Sequence, residues 1–571
     1  YFTSVFTKEP QGDIPTLPDR PRIFPMSALV VEKDDVIKML GKLRQDKSPG
    51  LDCLHPMFLK ELSEEIAIPL QIIFNKSLQE KEVPSEWRKA KVSAIFKKGE
   101  KSLAGNYRPV SLTSVVCKVM ETFVRDHIVD YMSLNQLFTK KQYGFMSGRS
   151  TALQLLSVLE KWTNALDEGN PVDCIYMDFQ KAFDTVPHRR LISKLKSYGI
   201  DENLITWISS FLSNRLQHVS INGESSDWMD VTSGIPQGSV LGPILFVLYI
   251  NDLPDEVNSE VYLFADDTKI FKVIGNDTDS ETLRRDLDTL TQWSNTWLLK
   301  FHPSKCKHLH VRRKGESTET RYCLLGNQLD LCDHEKDIGV IIDKEINFDT
   351  HICQKVNKAN SMFAVIRRSF HNLDAKTFIP LYKSLVRTHL DYASSVYSPY
   401  KMKHIDQLES VQRRATRQLP NMKNLSYPER LRALKLPTLS YRRIRGDMIE
   451  LYKITSGIYD KAAVDFIKPW RETTSRTSSR THDMKIFPQR AHTKVRKNAF
   501  SVRSANIWNS LPAHVVTSKT VNTFKNRLDK FWGDQELLYD NYKADITFGS
   551  HKVYESLIRD SSGEELEKHH K

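Results

Sequence analysis

Residues 261–271 read VYLFADDTKIF, so two aspartates, Asp266 and Asp267, stand side by side between two apolar runs. The runs have the length and composition of strands, which puts the acidic pair in a tight connection between them. Adjacent carboxylates repel, and withdrawal from water adds to the cost of keeping both ionised. Taken alone, the pair fits a solvent-exposed turn, where Asp is favoured by local hydrogen bonding. In a buried hairpin a bound cation explains it better, because the cation converts repulsion into ligation.

A second acidic segment favours the cation. CIYMDFQKAFDTVPHRRLISKLKSYG (174–199) starts as an apolar strand, Ile175 to Met177, and reaches Asp178 near its end. A helix is expected from Asp184–Pro187, capped by Asp184 or Thr185, with Pro187 in its first turn and Gly199 closing it. Asp184 then has a structural explanation. Asp178 has none, since an isolated carboxylate in an apolar strand is costly unless paired or ligated. Asp178, Asp266 and Asp267 make an oxygen-donor set that suits hard cations such as magnesium. Two such ions about 3.5–4 Å apart activate a hydroxyl and stabilise a leaving phosphate, so the chemistry indicated is nucleotidyl transfer. Between these segments, SGIPQGSVLGPILFVLYINDLP (233–254) sets Gly234, Pro236 and Gly238 before an apolar helix. Such an approach lets backbone amides come close to a ligand. An ordinary strand–helix connection reads the same way, except that Gln237 has no structural purpose in it.

At 571 residues the chain is too long for one ordinary core, and two or more subdomains are expected. Its 40% hydrophobic and 27% charged residues are globular in balance. A net charge of +13 favours polyanionic partners. The excess is concentrated: residues 401–445 hold twelve basic and three acidic side chains, residues 471–505 hold nine and two, and the end after Trp532 turns acidic. Seven scattered cysteines form no disulfide framework, which fits a reducing compartment. The opening YFTSVFTKEP has neither an initiator Met nor a leader pattern, as expected of a fragment of a longer polyprotein. The longest apolar block, VLGPILFVLYI (240–250), is too short for a membrane span, so a soluble chain without a membrane partner is expected.

Five prolines within residues 10–25 predict an extended linker. Helical periodicity follows from about Lys33, breaks at SPG (48–50) and resumes over HPMFLKELSEEIAIPLQIIFNKSLQE (55–80). WRKAKVSAIFKKGE reads as a strand with Val92, Ala94 and Phe96, or their neighbours, on one face, and residues 111–132 and 150–168 read as helical. From Val172 to Phe271 short apolar strands alternate with helices, and from Ile338 the pattern is mostly helical. Ile405, Leu408, Val411, Ala415 and Leu419 form an apolar stripe at helical spacing, with Arg413, Arg414 and Arg417 off it. TTSRTSSRTHD (473–483) reads as a polar linker, and no internal repeat is visible.

The order AFDTV (182–186), GIPQGSVLGP (234–243) and FADD (264–267) resembles palm motifs A, B and C of reverse transcriptases, in wording similar to non-LTR (LINE-type), jockey-like retrotransposons. KSPGLDCLHPMFLKEL (47–62), NYRPVSLTSVVCKVMETFV (106–124) and QYGFMSGRSTALQLL (142–156) resemble the fingers motifs. LKFHPSKCKHLHV (299–311) resembles motif D and DIGVIID (337–343) the primer-grip segment, so ordered blocks run from residue 47 to 343 within a resemblance extending over residues 30–440.

The resemblance implies an α+β right-hand polymerase with a small palm sheet surrounded by helices. Its parts would be a linker over 1–30 from a missing upstream domain, fingers over 31–170, a palm over 171–315 and a primer-grip segment over 316–345. A basic helical thumb over 346–460 and a helical C-terminal extension over 461–571 would follow. It also implies an RNA-directed DNA polymerase that extends a DNA primer on an RNA template. The enzyme would take deoxynucleoside triphosphates and two Mg2+ ions, with Mn2+ as a substitute. It would act in the nucleus, with assembly in the cytoplasm; the oligomeric state is left open.

Asp178, Asp266 and Asp267 would be the metal ligands, with the backbone carbonyl of Phe179 as a further one. Phe183 would be the steric gate against a ribose 2′-hydroxyl; without the resemblance it reads as a core aromatic. Gln237 and Gly238 would lie against the incoming nucleotide and template, and Arg108 with Lys97 or Lys98 on its triphosphate. Lys305 would be the motif D lysine, a proton donor to pyrophosphate, and Arg413, Arg414 and Arg417 would follow a duplex through its phosphates. The bland readings are a solvated basic loop, a surface lysine and a solvated helix face. Two rival functions remain: a catalytically inactive nucleic-acid-binding relic, and an RNA-templated RNA polymerase, against which Phe183 would discriminate. No upstream endonuclease, CCHC knuckle or RNase H segment is evident. Cys306, His308, His310, Cys323 and Cys332 lack zinc-finger spacing and are expected to pack or face solvent.

Overall fold

The computed structural model describes residues 1–315, 320–370, 373–470 and 482–547. An extended segment leads to helices α1 (Lys33–Gly41), α2 (Pro56–Glu61) and α3 (Ser63–Glu80). Strands β1 (Lys89–Phe96) and β2 (Tyr107–Leu112) form a hairpin, followed by α4 (Val115–Leu134) and α5 (Thr151–Glu168). Strand β3 (Val172–Met177) runs through the short α6 (Ala182–Thr185) into α7 (His188–Ser197) and α8 (Glu202–Leu212). Next come β4 (Arg215–Ile221), β5 (Glu224–Ser225), β6 (Met229–Val231) and α9 (Gly242–Tyr249). The hairpin β7 (Glu260–Phe264) and β8 (Asp267–Val273) precedes α10 (Asp277–Trp297), β9 (Lys307–Val311), β10 (Cys323–Leu324), β11 (Asn327–Gln328) and β12 (Asp330–Cys332). A last hairpin, β13 (His334–Asp337) and β14 (Val340–Asp343), gives way to α11 (Asp349–Ser369), α12 (Ala375–Leu381), α13 (Thr388–Asp391) and α14 (Ser394–Tyr397). Helices α15 (Met402–Arg417), α16 (Tyr427–Leu434) and α17 (Leu439–Thr455) follow, then short helical turns and α18 (Val521–Phe531).

The central sheet has the order β12-β9-β3-β8-β7, with β3 antiparallel to both β8 and β9. Side-chain alternation along β3 splits its residues between two cores. Ile175 and Met177, with Val261 and Ile270, pack in the core that contains α9 and α10. Val172 and Cys174, with Tyr262, Phe271 and Leu309, pack in the core built from α5 and the helices beyond Asp349. With both faces covered, the strand can be almost wholly apolar, as its sequence is. A second sheet, β2-β1-β4-β5 with β6 on β4, joins the β1–β2 hairpin in parallel to β4. In β1, Ala90 and Val92 are buried while Phe96 is exposed, so one face is covered only at the end that pairs with β4.

The proline-rich segment is extended as expected, yet it is not free. Pro15 and Leu17 offer their carbonyls to Ser193 and Ser197 on α7, and Glu9 forms a largely buried ion pair with Arg190 (2.9 Å). Extended backbone makes no internal hydrogen bonds, which leaves its carbonyls available to a neighbour. The C-terminal segment also folds back onto α5. Arg496 pairs with Glu160 (2.6 Å), and the amides of His492 and Thr493 donate to Asp167. TTSRTSSRTHD lies almost wholly outside the described residues, as do residues 316–319 and the end after 547. No described helix is long and apolar enough to cross a membrane.

Candidate active site

Of the acidic pair, Asp266 lies in the connection as expected, whereas Asp267 is the first residue of β8. Phe264 pairs with Asp267, closing a two-residue turn of Ala265 and Asp266 in which Ala265 has φ +55°. Residues 141–144 brace this turn from outside. Leu263 exchanges backbone hydrogen bonds with Lys141 and Tyr143, and the side-chain oxygen of Gln142 accepts from the amides of Gly144 (2.7 Å) and Ala265 (3.0 Å). A Cβ on Gly144 would stand 2.4 Å from the nitrogen of Ala265, so this approach requires glycine.

Asp178 follows directly on β3, with its carbonyl accepting from His302 (2.7 Å) and its carboxylate paired with Lys305 Nζ at 2.8 Å. The three carboxylates feel one another. Desolvation, and then the Asp178 charge, raise the Asp266 carboxyl, against the opposing pull of Arg108 and Lys97. The Asp267 carboxyl opens into a cleft, where partial desolvation and the charges of Asp266, Asp337 and Asp178 push it up to about 6. Asp178, Lys305 and Lys98 line the same cleft. Carboxylates held together against their mutual repulsion form a donor set suited to hard divalent ions, so the residues present fit the expected magnesium.

The glycine turn lies against α6 and β2. Ser111 donates its amide to the carbonyl of Gln237 (2.7 Å), and Gly238 has φ +119°, with the Ser111 carbonyl 2.5 Å from where a Cβ would be. Glu121 of α4, fully buried, accepts from the amides of Val240 (2.6 Å) and Leu241 (2.9 Å). Sequence reasoning missed this fastening, because nothing local distinguishes Glu121 from a surface acid on an amphipathic helix. Gln237 does have a partner: its Nε2 donates to Asp184 Oδ1 (3.1 Å). This corrects the capping role expected of Asp184. Helix α7 starts at His188 with no side-chain cap, and Asp184 serves the tertiary contact instead. Burial pushes the Asp184 carboxyl up to about 6, against the hydrogen bond from Gln237.

Phe183 is half-buried and stacks on Phe246, with ring centroids 4.8 Å apart. Phe179 turns its side chain inward onto Phe301 (4.6 Å). Arg108 and Lys97 are exposed on the β1–β2 hairpin, with their charges acting on Asp266. Arg413, Arg414 and Arg417 are exposed on α15, opposite buried Leu408, Val411 and Ala415. The Arg413 guanidinium lies over the rings of Tyr427 and Tyr542, 5.2 Å from each centroid. No contact joins these three arginines to the carboxylates.

The structure adds a buried polar cluster. Asp173 Oδ1 accepts from His308 (2.9 Å) and His310 (2.5 Å), and Oδ2 accepts from the hydroxyl of Tyr322 (2.6 Å). Its Asp and His atoms lie close enough together to share a metal ion. Burial works to raise the Asp173 carboxyl, but the hydrogen bonds hold it well below the ordinary carboxylate range. Both rings and the Tyr322 hydroxyl meet the Asp173 carboxylate within hydrogen-bond distance, so the buried polar atoms satisfy one another. The cluster is a closed hydrogen-bond network. His308, His310 and Cys306 are buried, while Cys323 is exposed.

Residues 95–336, from β1 to β13, match the family described as reverse transcriptase (RNA-dependent DNA polymerase). Among its relatives, the RNA-directed DNA polymerase from mobile element jockey of Drosophila melanogaster is 27% identical over 411 residues, covering 69% of this chain and 44% of that protein. The probable RNA-directed DNA polymerase from transposon BS of the same species is 28% identical over 369 residues (62% and 40%). That from transposon X-element is 25% identical over 398 residues (68% and 43%). The chain spans less than half the length of these relatives.

Proposed function

We propose that this chain is the polymerase part of a non-LTR, jockey-like retrotransposon, extending a DNA 3′ end on an RNA template. The observation that carries the reading is the meeting of Asp178, Asp266 and Asp267 in one field, with Arg108 and Lys97 acting on it from the neighbouring hairpin. Residues 31–170 then serve as fingers, 171–315 as palm, 316–345 as primer grip and 346–460 as thumb, with 1–30 as a linker before them and 461–571 as a C-terminal extension. Two magnesium ions, when bound, supply activation of the primer hydroxyl and charge stabilisation at the transferred phosphate. Asp178, Asp266, Asp267 and the carbonyl of Phe179 hold them. Arg108 and Lys97 balance the triphosphate charge, and the turn at Gln237 and Gly238 receives the nucleotide. Phe183, with its ring held by Phe246, excludes a 2′-hydroxyl. Lys305, released from Asp178, stands ready to protonate pyrophosphate. Arg413, Arg414 and Arg417 contact the backbone of the template–primer duplex, and the work is done in the nucleus.

Extension of a labelled DNA primer on an RNA template tests this reading. Deoxynucleotide-dependent products that vanish in Asp266→Asn/Asp267→Asn support it. Salt-sensitive binding without extension makes the chain an inactive relic. In an active chain, Phe183→Ala is expected to admit ribonucleotides, and failure to do so removes the gate.

A further inference from the structure

Arg149 directly precedes Ser150, the N-cap of α5, and its side chain is 4% exposed, yet it takes no part in the chemistry proposed above. Its guanidinium faces two ways. On one side Nη1 donates to the carbonyls of Lys140 (2.6 Å) and Gln142 (2.7 Å). On the other, Nε (2.9 Å) and Nη2 (2.6 Å) both donate to Oδ2 of Asp460, 311 positions along the chain. The guanidinium also lies over the ring of Tyr143, 5.2 Å from its centroid.

Each side leads to a different part of the molecule. The two carbonyls that Arg149 holds flank that of Lys141, which accepts from Leu263 of β7; Leu263 in turn accepts from Tyr143. Carbonyls that alternate in this way are those of a strand, and Gln142 makes an isolated parallel bridge to Leu263. Because β7 is an edge of the central sheet, this bridge adds to the sheet, and Arg149 satisfies the outer edge that the addition creates. From the bridge, the Gln142 side chain accepts the amide of Ala265, the neighbour of Asp266. In the other direction, the Asp460 amide donates to the Gly148 carbonyl (3.0 Å). The preceding Tyr459 is tied to α17, donating to Glu450 (2.6 Å) and accepting from Lys453 (3.3 Å). A guanidinium presents its donors as a fixed fork, whereas a lysine ammonium is a point charge on a flexible stem and cannot hold both sides in one geometry. We propose that Arg149 is a positioning residue for the catalytic turn. By joining the outer edge of the added bridge to Asp460, it makes the place of Asp266 depend on the docking of the segment that follows α17. This rests on the polymerase reading.

The test compares the full chain with Arg149→Lys, with Asp460→Asn and with the two combined, at a temperature well below every melting point. It measures hydrogen exchange at the Leu263 and Ala265 amides, kcat, the KM for deoxynucleotides and primer–template affinity. Each single variant is expected to exchange these amides faster and to lose about tenfold in kcat, with KM and affinity within about twofold, as a displaced reacting group requires. The double variant should fall no further than the weaker single one, since both break the same link. In an active parent, variants that keep kcat overturn the positioning role, and so do losses that multiply in the double variant. A parent that extends no primer overturns the polymerase reading instead. Amide exchange then still decides the link: faster exchange in both single variants supports it, and unchanged exchange overturns it.

Discussion

Asp184 shows how one carboxyl can work against the fold that contains it. Its pKa of about 6 lies above the ordinary 3.8, so the folded chain favours the neutral acid. That preference contributes stability in full below about pH 4 and loses it as pH rises through 6, up to about 3 kcal/mol. Asp184→Asn keeps an acceptor for Gln237 and cannot ionise. The variant is expected to melt higher than the parent at pH 7.5, with the gap closing below pH 5; equal melting curves at both pH values would refute this. The residue's role was not legible because a helix-capping rule explained it from four neighbours, while its partner lies 53 positions away. Asp178 stood out for the opposite reason, since no local rule accounts for a charge at the end of an apolar strand, and it was Asp178 that set the Asp266–Asp267 pair apart from an ordinary turn. Asp173 breaks an apolar strand in the same way, but its partners become visible only once β9 is known to lie beside β3.

Among elements, the turn between β7 and β8 is held from outside by residues 141–144, so the position of the carboxylates depends on a segment that carries no chemistry. Gly144→Ala puts a methyl carbon 2.4 Å from the Ala265 nitrogen, and the turn must shift to admit it. Misplacing reacting groups by about 1 Å costs on the order of 100-fold in rate. Primer extension by the variant should fall by about that factor while primer–template binding stays within about twofold. Strands β1, β3, β7 and β8 and helices α3, α4, α5 and α15 were readable from periodicity, as was the basic face of α15, whereas the end of β2 was read as helix and β14 fell in a stretch read as mostly helical. The direction of that basic face was not readable, because a sequence shows which side of a helix is polar and not what that side faces. Arg413 lies over Tyr427 and over Tyr542 from a segment far along the chain.

Across the whole molecule, the described part of the C-terminal extension is a structural component. Arg496 is 1% exposed and its partner Glu160 11%, and Ser501 also donates to Glu160. Arg496→Ala leaves a nearly buried carboxylate without its cation, a change that costs about 3–5 kcal/mol. Chemical denaturation should show a loss of that size, and a loss below 1 kcal/mol would mean the C-terminal segment and α5 are only loosely joined. The same arrangement bears on how the protein is made. One wall of the central sheet, with Tyr262, Phe271 and Leu309, is covered partly by α5 and partly by helices synthesised after it. At roughly 5–20 residues per second, a nascent chain carries the rest of that wall uncovered for seconds to tens of seconds while the later helices leave the ribosome. The protein therefore has a vulnerable interval written into its gene order, during which chaperone binding, or a pause in translation, decides whether the sheet meets its own helices or a neighbouring chain.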